Sequence, residues 1–329
     1  MMVLGIDTSC DDTSASVMES GRVLSNVVFS QIEHSKYGGV VPELASRDHI
    51  RNILPVTREA LREAVVSLKD IDGIGVTYGP GLVGSLLIGM SFAKSVSLAL
   101  EIPFVGVNHL EAHIFSLFMG RKINFPLIVL IVSGGHTELV LVEGEGEYRV
   151  LGSTLDDACG EAFDKVAGML GFPYPGGGEV EKIAEKGERD AIDFPRAKLK
   201  GYDFSFSGLK TAVLYHIRKK PPSEKDIPDI AASFQEACVD SLVFPTLALS
   251  DRLNIRTIGV CGGVARNKRL RKKLNERAKG CKTFFPPPQF CMDNGAMVAG
   301  CAEFHLERGE FSPLTLKVNP SLTLPTQSP

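Results

Sequence analysis

Two histidines at helical spacing are the residues of this sequence best suited to chemistry. His109 and His113 lie four positions apart in residues 108–113, Asn-His-Leu-Glu-Ala-His, and apolar residues follow at helical spacing. On a helix such a pair shares one face, with Cβ atoms ~6 Å apart, so both imidazoles can bind the same metal ion. The spacing therefore predicts a metal site on this helix.

A turn of small residues follows at 133–137. Its sequence, Ser-Gly-Gly-His-Thr, separates the apolar runs 127–132 and 138–142, which predicts a strand, a turn and a second strand. Because the turn has little side-chain bulk, several of its backbone N–H groups can hold a phosphate. A metal-binding helix and a phosphate-binding turn this close in sequence indicate a metal beside a nucleotide.

The elements that must position these residues form two similar series. Residues 3–6 predict a strand, 7–14 a polar turn, 15–18 a return strand and 23–29 a third strand, and 127–142 repeat the strand–turn–strand pattern. This repetition indicates an internal duplication. Helical segments (41–66 and 82–100) then alternate with strands (73–77 and 104–107), which favours an α/β fold with ligand sites at the C-terminal ends of the strands.

The composition restricts the class of protein. A length of 329 residues with 44% hydrophobic content predicts two domains, and a net charge of −3 excludes a generally basic nucleic-acid binder. The seven scattered cysteines include no CxxC pair, so we expect neither a disulfide framework nor a zinc ribbon. Free cysteines of this kind suit a protein of the reducing cytoplasm. The N-terminus does not resemble a signal peptide. The apolar helix at 82–100 contains Lys94 with several Ser and Gly, so we expect no membrane span.

Four further segments each have two possible interpretations. The triple glycine 176–178 either lets the backbone approach a ligand or is a plain connector. Residues 195–223 are predicted to be the least globular segment, and their basic and aromatic residues either touch RNA or form a solvated face. The basic helix at 268–279 has Leu270 and Leu274 on its inward face, so its charges fit a solvent side. Asp293 precedes the last helix, where an N-cap is the simplest role.

Six motifs, in order along the chain, resemble the universal tRNA N6-adenosine threonylcarbamoyltransferase family in its bacterial form. They are residues 5–9, 108–113, 132–137, 160–165, 262–264 with Asn267, and 293–294. The resemblance runs from residue 3 to about residue 320, and several independent motifs carry it.

The resemblance implies both a fold and an activity. The fold is α/β, with two duplicated ribonuclease-H-like domains of the actin and hexokinase type and a nucleotide cleft between them. We expect residues 1–125 to form the N-terminal domain, with 300–329 packing back on it, and 126–299 the C-terminal domain. The implied reaction transfers L-threonylcarbamoyl from threonylcarbamoyl-AMP to N6 of the adenosine 3′-adjacent to the anticodon, in tRNAs that read ANN codons.

The resemblance also implies site residues. The implied metal ligands, for iron (Fe²⁺) or zinc, are His109, His113 and Asp293. The implied positions for the adenine nucleotide are Val132, Ser133, Gly134, Gly135, His136, Asp164, Gly177 and Asn267. We expect the turn at 133–137 to lie by the phosphate, Asp164 by the ribose hydroxyls, Gly177 by the ribose and Asn267 by the adenine edge.

The general base and the partners are less closely defined. Asp7, Asp11 and Asp12 in the first polar turn are candidate bases, and we select Asp11, since Asp12 equally fits a turn cap. The implied partners are tRNA, a TsaB-type paralogue, a TsaE-type ATPase and a TsaC-type enzyme that supplies the adenylate. The small-residue helix at 82–100 suits close packing, either inside the domain or against the TsaB-type partner.

Three other functions compete with the transferase. A metalloprotease, a label that this family once carried, needs His-Glu-x-x-His, whereas Glu111 lies two residues after His109, about 200° round the helix. A sugar or acid kinase suits the fold and Asp7, but would leave the paired histidines merely structural. An actin-like scaffold would bind nucleotide without turnover.

Overall fold

The computed structural model describes residues 1–325, which form two compact units. The first unit comprises Met1–Ile123 together with Pro286–Leu324, and the second comprises Asn124–Phe285. Residues 286–299 therefore belong to the first unit, whereas the sequence analysis assigned them to the second. The physical reason is the helix Gly295–Glu307, which buries most of its side chains against the strands of the first sheet.

Ten strands are present in the described part of the chain. They are β1 Met2–Asp7, β2 Asp12–Glu19, β3 Arg22–Ser30, β4 Gly73–Gly79, β5 Phe104–Asn108, β6 Leu127–Val132, β7 Thr137–Gly144, β8 Glu147–Ser153, β9 Thr257–Cys261 and β10 Lys282–Phe284.

Nine α-helices accompany these strands within residues 1–325. They are α1 Pro42–Ala64, α2 Val83–Leu100, α3 His109–Phe115, α4 Cys159–Met169, α5 Gly177–Ala184, α6 Ser207–Lys219, α7 Ile227–Leu253, α8 Lys268–Arg277 and α9 Gly295–Glu307. Helices α1, α2, α3 and α9 belong to the first unit and the others to the second.

The two sheets have the same topology. The first has the order β3-β2-β1-β4-β5 and the second the order β8-β7-β6-β9-β10. In each, the first strand pairs antiparallel with the second and parallel with the fourth. The internal duplication and the α/β fold predicted from the sequence are therefore confirmed. The parallel strands end at one edge of each sheet, where the motif residues follow.

Helix α2 is the one helix in the described residues that is long and apolar enough to cross a membrane, by length and composition alone. It packs against α1 and β4 within the first unit. Its buried face includes Ser85, Gly89 and Ala93, and Gly89 lets it approach Thr8 closely. This packing matches one of the two roles expected for its small residues, that of a helix inside the domain.

The second unit contains the main differences from the sequence prediction. Residues 195–223, expected to be the least globular, contain α6, and Phe204 and Phe206 just before it are almost fully buried. The prediction was wrong because these aromatics alternate with polar residues that face solvent. The long helix α7 and strand β8 were not predicted at all. Leu270 and Leu274 of α8 do face inward, as expected.

Candidate functional site

Asn108 fixes the start of the dihistidine helix. It is the last residue of β5, and its side-chain oxygen accepts hydrogen bonds from the backbone N–H of Leu110 and Glu111, at 2.9 and 3.3 Å. Its amide nitrogen donates to the carbonyl of Thr323, at 2.7 Å. All seven residues of α3 are buried. The two histidines therefore project from a helix whose position is set at its first turn.

The three residues predicted as metal ligands converge in the first unit. The Nε2 atoms of His109 and His113 lie 3.5 and 3.1 Å from Oδ1 of Asp293. The two imidazole rings stand edge to face, with centroids 4.7 Å apart. His113 is fully buried, whereas the side chain of Asp293 keeps 26% of its surface exposed. The cluster therefore opens to solvent on the side of the carboxylate.

Asp293 is not the N-cap of α9. The cap is Asn294, whose side-chain oxygen accepts a hydrogen bond from the backbone N–H of Met297, at 3.0 Å. The capping role considered for Asp293 in the sequence analysis is therefore wrong. With the helix end satisfied by its neighbour, the Asp293 carboxylate faces the two imidazoles instead.

A second carboxylate, that of Asp7 at the end of β1, approaches the other ring nitrogen of His109. Its Oδ2 lies 3.5 Å from Nδ1 of His109. Burial disfavours the imidazolium form of His109, but Asp293 and Asp7 outweigh burial and raise its pKa to about 10. Burial also opposes ionisation of Asp293, yet the charges and hydrogen bonds of His109 and His113 hold its pKa well below the ordinary value.

These side chains form a donor set of the kind that binds a divalent metal. The donor atoms of His109, His113 and Asp293 all lie within 4.8 Å of one another. Two imidazole nitrogens and one carboxylate oxygen are ligands typical of zinc or non-haem iron, and they leave coordination positions for a substrate. A carboxylate beside the distal nitrogen, as Asp7 is beside Nδ1 of His109, orients such a ligand.

The first polar turn lies beside this cluster and is held by a histidine that the sequence analysis missed. Nε2 of His49 on α1 is 2.9 Å from the carbonyl of Cys10, and its Nδ1 is 2.8 Å from Oγ1 of Thr13. Burial raises the pKa of Asp11, and burial together with neighbouring carboxylates raises that of Asp12 to about 7. His49 gave no sequence signal, since it lies within an ordinary amphipathic helix.

The Ser-Gly-Gly-His turn of the second unit is closed by its own hydrogen bonds. The backbone N–H of Ser133 donates to the carbonyl of His136, and Oγ of Ser133 accepts from the N–H of His136. A Cβ on Gly134 or Gly135 would meet nothing within 4 Å, so this backbone lies open. The side chain of Val132 is fully buried, which leaves only its backbone available.

Helix α4 begins against this turn. The backbone N–H of Gly160 donates to the carbonyl of Ser133, at 3.1 Å, and that of Cys159 donates to Oγ1 of Thr137, at 2.9 Å. A Cβ on Gly160 would lie 2.5 Å from the same carbonyl oxygen, so only glycine permits this approach. The turn and the helix start therefore form one close-packed structure.

Asp164, one turn further along α4, holds the triple glycine. Its Oδ1 accepts hydrogen bonds from the backbone N–H of Gly176 and Gly177, at 2.8 and 3.0 Å. Gly176 also packs against Ala167, where an added Cβ would lie only 2.1 Å from the alanine Cβ. The glycine segment is thus fixed at the start of α5, and the interpretation as a plain flexible connector is wrong.

Asn267 makes two side-chain hydrogen bonds within the protein. It is the N-cap of α8, where its oxygen accepts from the backbone N–H of Leu270, at 2.9 Å. Its nitrogen donates to Oε1 of Gln235 on α7, at 2.7 Å, and the residue is only 6% exposed. These partners fix the orientation of the amide predicted to bond an adenine edge, and that contact stays a prediction. Gln235 gave no sequence signal, because α7 was not predicted.

Solved structures with low sequence identity share this fold. Full-length HypF in its phosphate- and nucleotide-bound form matches 94% of this chain and 47% of its own length, with a TM-score of 0.61 and 15% identity. Component A of (R)-2-hydroxyglutaryl-CoA dehydratase from Acidaminococcus fermentans matches 93% of this chain and 99% of its own, with a TM-score of 0.56 and 15% identity. The protein accordingly has the two-domain, ribonuclease-H-like fold of the actin type.

Sequence comparisons define the family within this fold. The family model for TsaD, tRNA N6-adenosine threonylcarbamoyltransferase, matches residues 22–300. Proteins of that name from Syntrophus aciditrophicus and Dictyoglomus turgidum are 50% and 51% identical, covering 96% and 98% of this chain and 96% and 99% of their own lengths. The chain belongs to the tRNA N6-adenosine threonylcarbamoyltransferase family, and it is a transferase of the tRNA-modifying class.

Proposed function

We propose that this enzyme transfers the L-threonylcarbamoyl group from threonylcarbamoyl-AMP to N6 of the adenosine 3′-adjacent to the anticodon, in tRNAs that read ANN codons. The observation that carries the proposal is the convergence of His109, His113 and Asp293 in a chain of this family. In the reaction the nitrogen attacks the carbamoyl carbon, the bond to the phosphate oxygen breaks and AMP leaves. Acyl transfer of this kind needs a polarised carbonyl and a positioned nucleophile.

The first unit would hold one divalent metal, iron or zinc, through His109, His113 and Asp293. When bound there, the metal would act as a Lewis acid toward an oxygen of the threonylcarbamoyl-phosphate end. The charge of Asp7, 3.5 Å from Nδ1 of His109, would favour the ring orientation that directs Nε2 toward Asp293. The capped and buried helix α3 prevents the imidazoles from drifting, which preserves the geometry that a weak nucleophile requires.

The second unit would bind the adenylate. The open backbone at Gly134 and Gly135 suits the phosphate, since N–H groups can reach it without side-chain hindrance. Asp164 holds Gly177 at the start of α5, and we place the ribose beside this segment. Asn267 would act on the adenine pocket by fixing the start of α8 and the side chain of Gln235, and its amide has a second N–H that could bond the adenine edge.

For the proton released from N6 we propose Asp11 as the acceptor. Its carboxyl lies in the turn beside Asp293, and partial burial raises its pKa toward the range useful to a general base. Asp12 starts β2 and is the competing candidate. An Asp11→Asn variant would lower the rate of transfer without changing the metal content, and loss of activity only in Asp12→Asn would reverse the assignment.

The partners follow from the same proposal. Apolar side chains are exposed on the outer faces of α1 and α2, among them Ile50, Leu54, Val83 and Leu87. A TsaB-type paralogue would cover such a surface, as apolar patches of this kind mark protein interfaces. A TsaE-type ATPase would join the assembly, and a TsaC-type enzyme would supply the adenylate in the cytoplasm.

Incorporation of labelled threonine into unmodified tRNA tests the proposal. The assay contains this protein, a TsaC-type enzyme, ATP and bicarbonate, with and without TsaB-type and TsaE-type partners. We expect label in the tRNA that depends on this chain, is lost with a metal chelator and is absent from a tRNA lacking the target adenosine. No label in any combination, with ATP-dependent phosphorylation of a small metabolite instead, would replace the proposal with a kinase.

A further inference from the structure

Helix α9 repeats the i, i+4 spacing of metal-binding side chains seen on α3. Cys301 and His305 lie four residues apart and therefore on one face of α9. That face packs against α3, where Glu111 points toward both residues. The donor atoms of Glu111, Cys301 and His305 all lie within 4.8 Å of one another. A thiol, an imidazole and a carboxylate are the donor types that zinc prefers.

The His305 ring is already oriented as a metal ligand. Its Nδ1 lies 2.5 Å from Oε2 of Glu310, just beyond the end of α9, and its Nε2 lies 3.3 Å from Oε2 of Glu111. A histidine that donates Nδ1–H to a carboxylate presents the lone pair of Nε2 to a cation, and this pairing is typical of metal-binding histidines. The Nε2 atom faces the space shared with Glu111 and Cys301.

An unsatisfied carboxylate oxygen points to a missing ligand in that space. Glu111 is only 3% exposed, and its buried Oε1 has no hydrogen-bond partner within the described residues. A buried acceptor without a donor is costly, and a bound cation would satisfy it. The side chains of His305 and Glu310 keep 20% and 54% of their surface exposed, so an ion can reach the cluster from solvent.

We infer that Glu111, Cys301 and His305 form a second binding site for one divalent cation of the zinc class. Glu111 lies about 200° round α3 from His109, so this site is on the opposite face of the helix from the proposed metal centre. A cation there ties α3 to α9. It thereby stabilises α3, which carries His109 and His113, and α9, which begins two residues after Asp293.

A proton is the alternative occupant. Burial opposes the charged imidazolium of His305, but Glu111 and Glu310 outweigh burial and raise its pKa. An imidazolium between the two carboxylates would need no metal. It would, however, leave buried Glu111 with only the weak S–H donor of Cys301 beside His305, since burial and Glu111 raise the pKa of that thiol and keep it protonated.

Titration of the metal-free full-length protein with Co²⁺ separates the two possibilities. A cysteine thiolate bound to Co²⁺ gives an intense near-ultraviolet charge-transfer absorption, which imidazole and carboxylate ligands do not give. The ligand set of His109, His113 and Asp293 contains no sulfur, so the band reports the second site. We expect wild-type protein to bind two Co²⁺ per chain and to develop the band for one of them.

Variants assign the band to the cluster. Cys301→Ser should abolish it, whereas Cys10→Ser, which removes a thiol that interacts with the charge of Asp293, should keep it. His305→Gln should weaken the Co²⁺ affinity of the second site, measured from the growth of the band, at least 100-fold. Glu310→Gln should weaken it by about 10–100-fold, as expected for a residue that orients a ligand. If Cys301→Ser fails to fold, the His305→Gln affinity decides.

The result is independent of the proposed function. A His109→Ala/His113→Ala variant should lose the other Co²⁺ and keep the band, and the measurement requires no catalytic turnover. The inference is overturned if wild-type protein shows no band, if the band survives Cys301→Ser, or if His305→Gln binds Co²⁺ as tightly as wild type. Without a band, or with unchanged affinity in His305→Gln, His305 is held as an imidazolium between Glu111 and Glu310. A band that survives Cys301→Ser comes from a different cysteine.

Discussion

The two units share one strand topology but collect opposite kinds of residue at the ends of their parallel strands. In the first unit, ionisable side chains follow β1 and β5: Asp7 ends β1, and His109 and His113 lie on the helix after β5. In the second, small residues follow β6 and β9, at 133–135 and 262–263. One architecture thus presents side chains that could hold a metal in one copy and open backbone in the other.

The buried charges of the two units differ in the same way. In the first unit, carboxylates and imidazoles converge on a cluster that is open on one side. In the second, Glu236 and Asp240 on α7 pair with Arg269, Lys273 and Arg196, so these charges satisfy one another. Buried charge in the first unit thus converges on a candidate metal site, whereas in the second unit it joins packed helices.

The largest effect is expected at Asp293 in the first unit, and the adjacent Asn294 provides the comparison. Asp293→Ala removes a carboxylate that faces both histidines, whereas Asn294→Ala removes the cap of α9 and the hydrogen bond from the Asn294 amide to the Met292 carbonyl. We expect Asp293→Ala to lose bound metal and to lower transfer about 10³-fold, the scale of removing a major electrostatic contribution to catalysis. Metal content by elemental analysis and the threonine-incorporation rate measure the change.

Asn294→Ala serves as the matched control. Loss of the N-cap and of the bond to the Met292 carbonyl costs about 1–3 kcal/mol of stability, and the metal should remain bound because both imidazoles and the Asp293 carboxylate are kept. Circular dichroism checks that both variants are folded. Equal metal content and activity in the two variants would contradict the assignment of Asp293 and would remove the chemical contrast between the units.

A substitution at Gly160 tests whether the open backbone of the turn at 133–137 binds the nucleotide. Gly160→Ala places a Cβ against the Ser133 carbonyl and the Gly134 Cα, and so displaces the turn. We expect affinity for AMP, measured by calorimetry, to fall about 10–100-fold, since misplacement by ~1 Å can cost ~10²-fold. The metal content should not change, because the ligands lie in the other unit.

Gly168→Ala is the control on the same helix. A Cβ there meets nothing within 4 Å, so alanine should raise stability by about 0.5–1 kcal/mol and leave AMP binding intact. An unchanged AMP affinity in Gly160→Ala would show that the turn does not contact the nucleotide.

The sequence predicted the parts of the site that local spacing determines. His109 and His113 share a face because they are four residues apart, and β1 and β6 are buried strands that end in polar turns. Asp293 entered the site through the family resemblance alone. Its approach to His113 requires α9 to return to the first sheet, and no local pattern specifies which sheet a buried apolar helix covers.

The missed features depend on contacts between distant segments. Asn267 was expected to bind a ligand, but its partner Gln235 lies on α7, a helix whose apolar residues surround its axis and give no clear period. His49 holds the first turn from a helix that sequence patterns show only as amphipathic. Such roles follow from tertiary packing, which the spacing of residues along one element cannot reveal.

The smallest expected effect tests whether the buried charge of the second unit is structural. Glu236 accepts hydrogen bonds from Arg269, at 2.6 and 2.7 Å, and from Lys273, at 2.5 Å. Burial opposes its ionisation, but these two bases outweigh burial and hold its pKa at about 2, against an ordinary value of 4.5. Its contribution to stability is therefore present above about pH 4.5 and is lost as the pH falls toward 2.

Glu236→Gln keeps the shape of the side chain and removes its charge. We expect a cost of about 1.5–3 kcal/mol at pH 7, the range for hydrogen bonds to charged groups, and a smaller cost at pH 3. Urea midpoints of both proteins at pH 7, 4.5 and 3 measure it, with Glu59→Gln, which breaks an exposed pair with Arg62, as the control expected to change little. Transfer activity should persist, because charges that only join α7 to α8 do not reach the substrate. A large loss of transfer with unchanged stability would assign this network to catalysis and end the contrast between the two units.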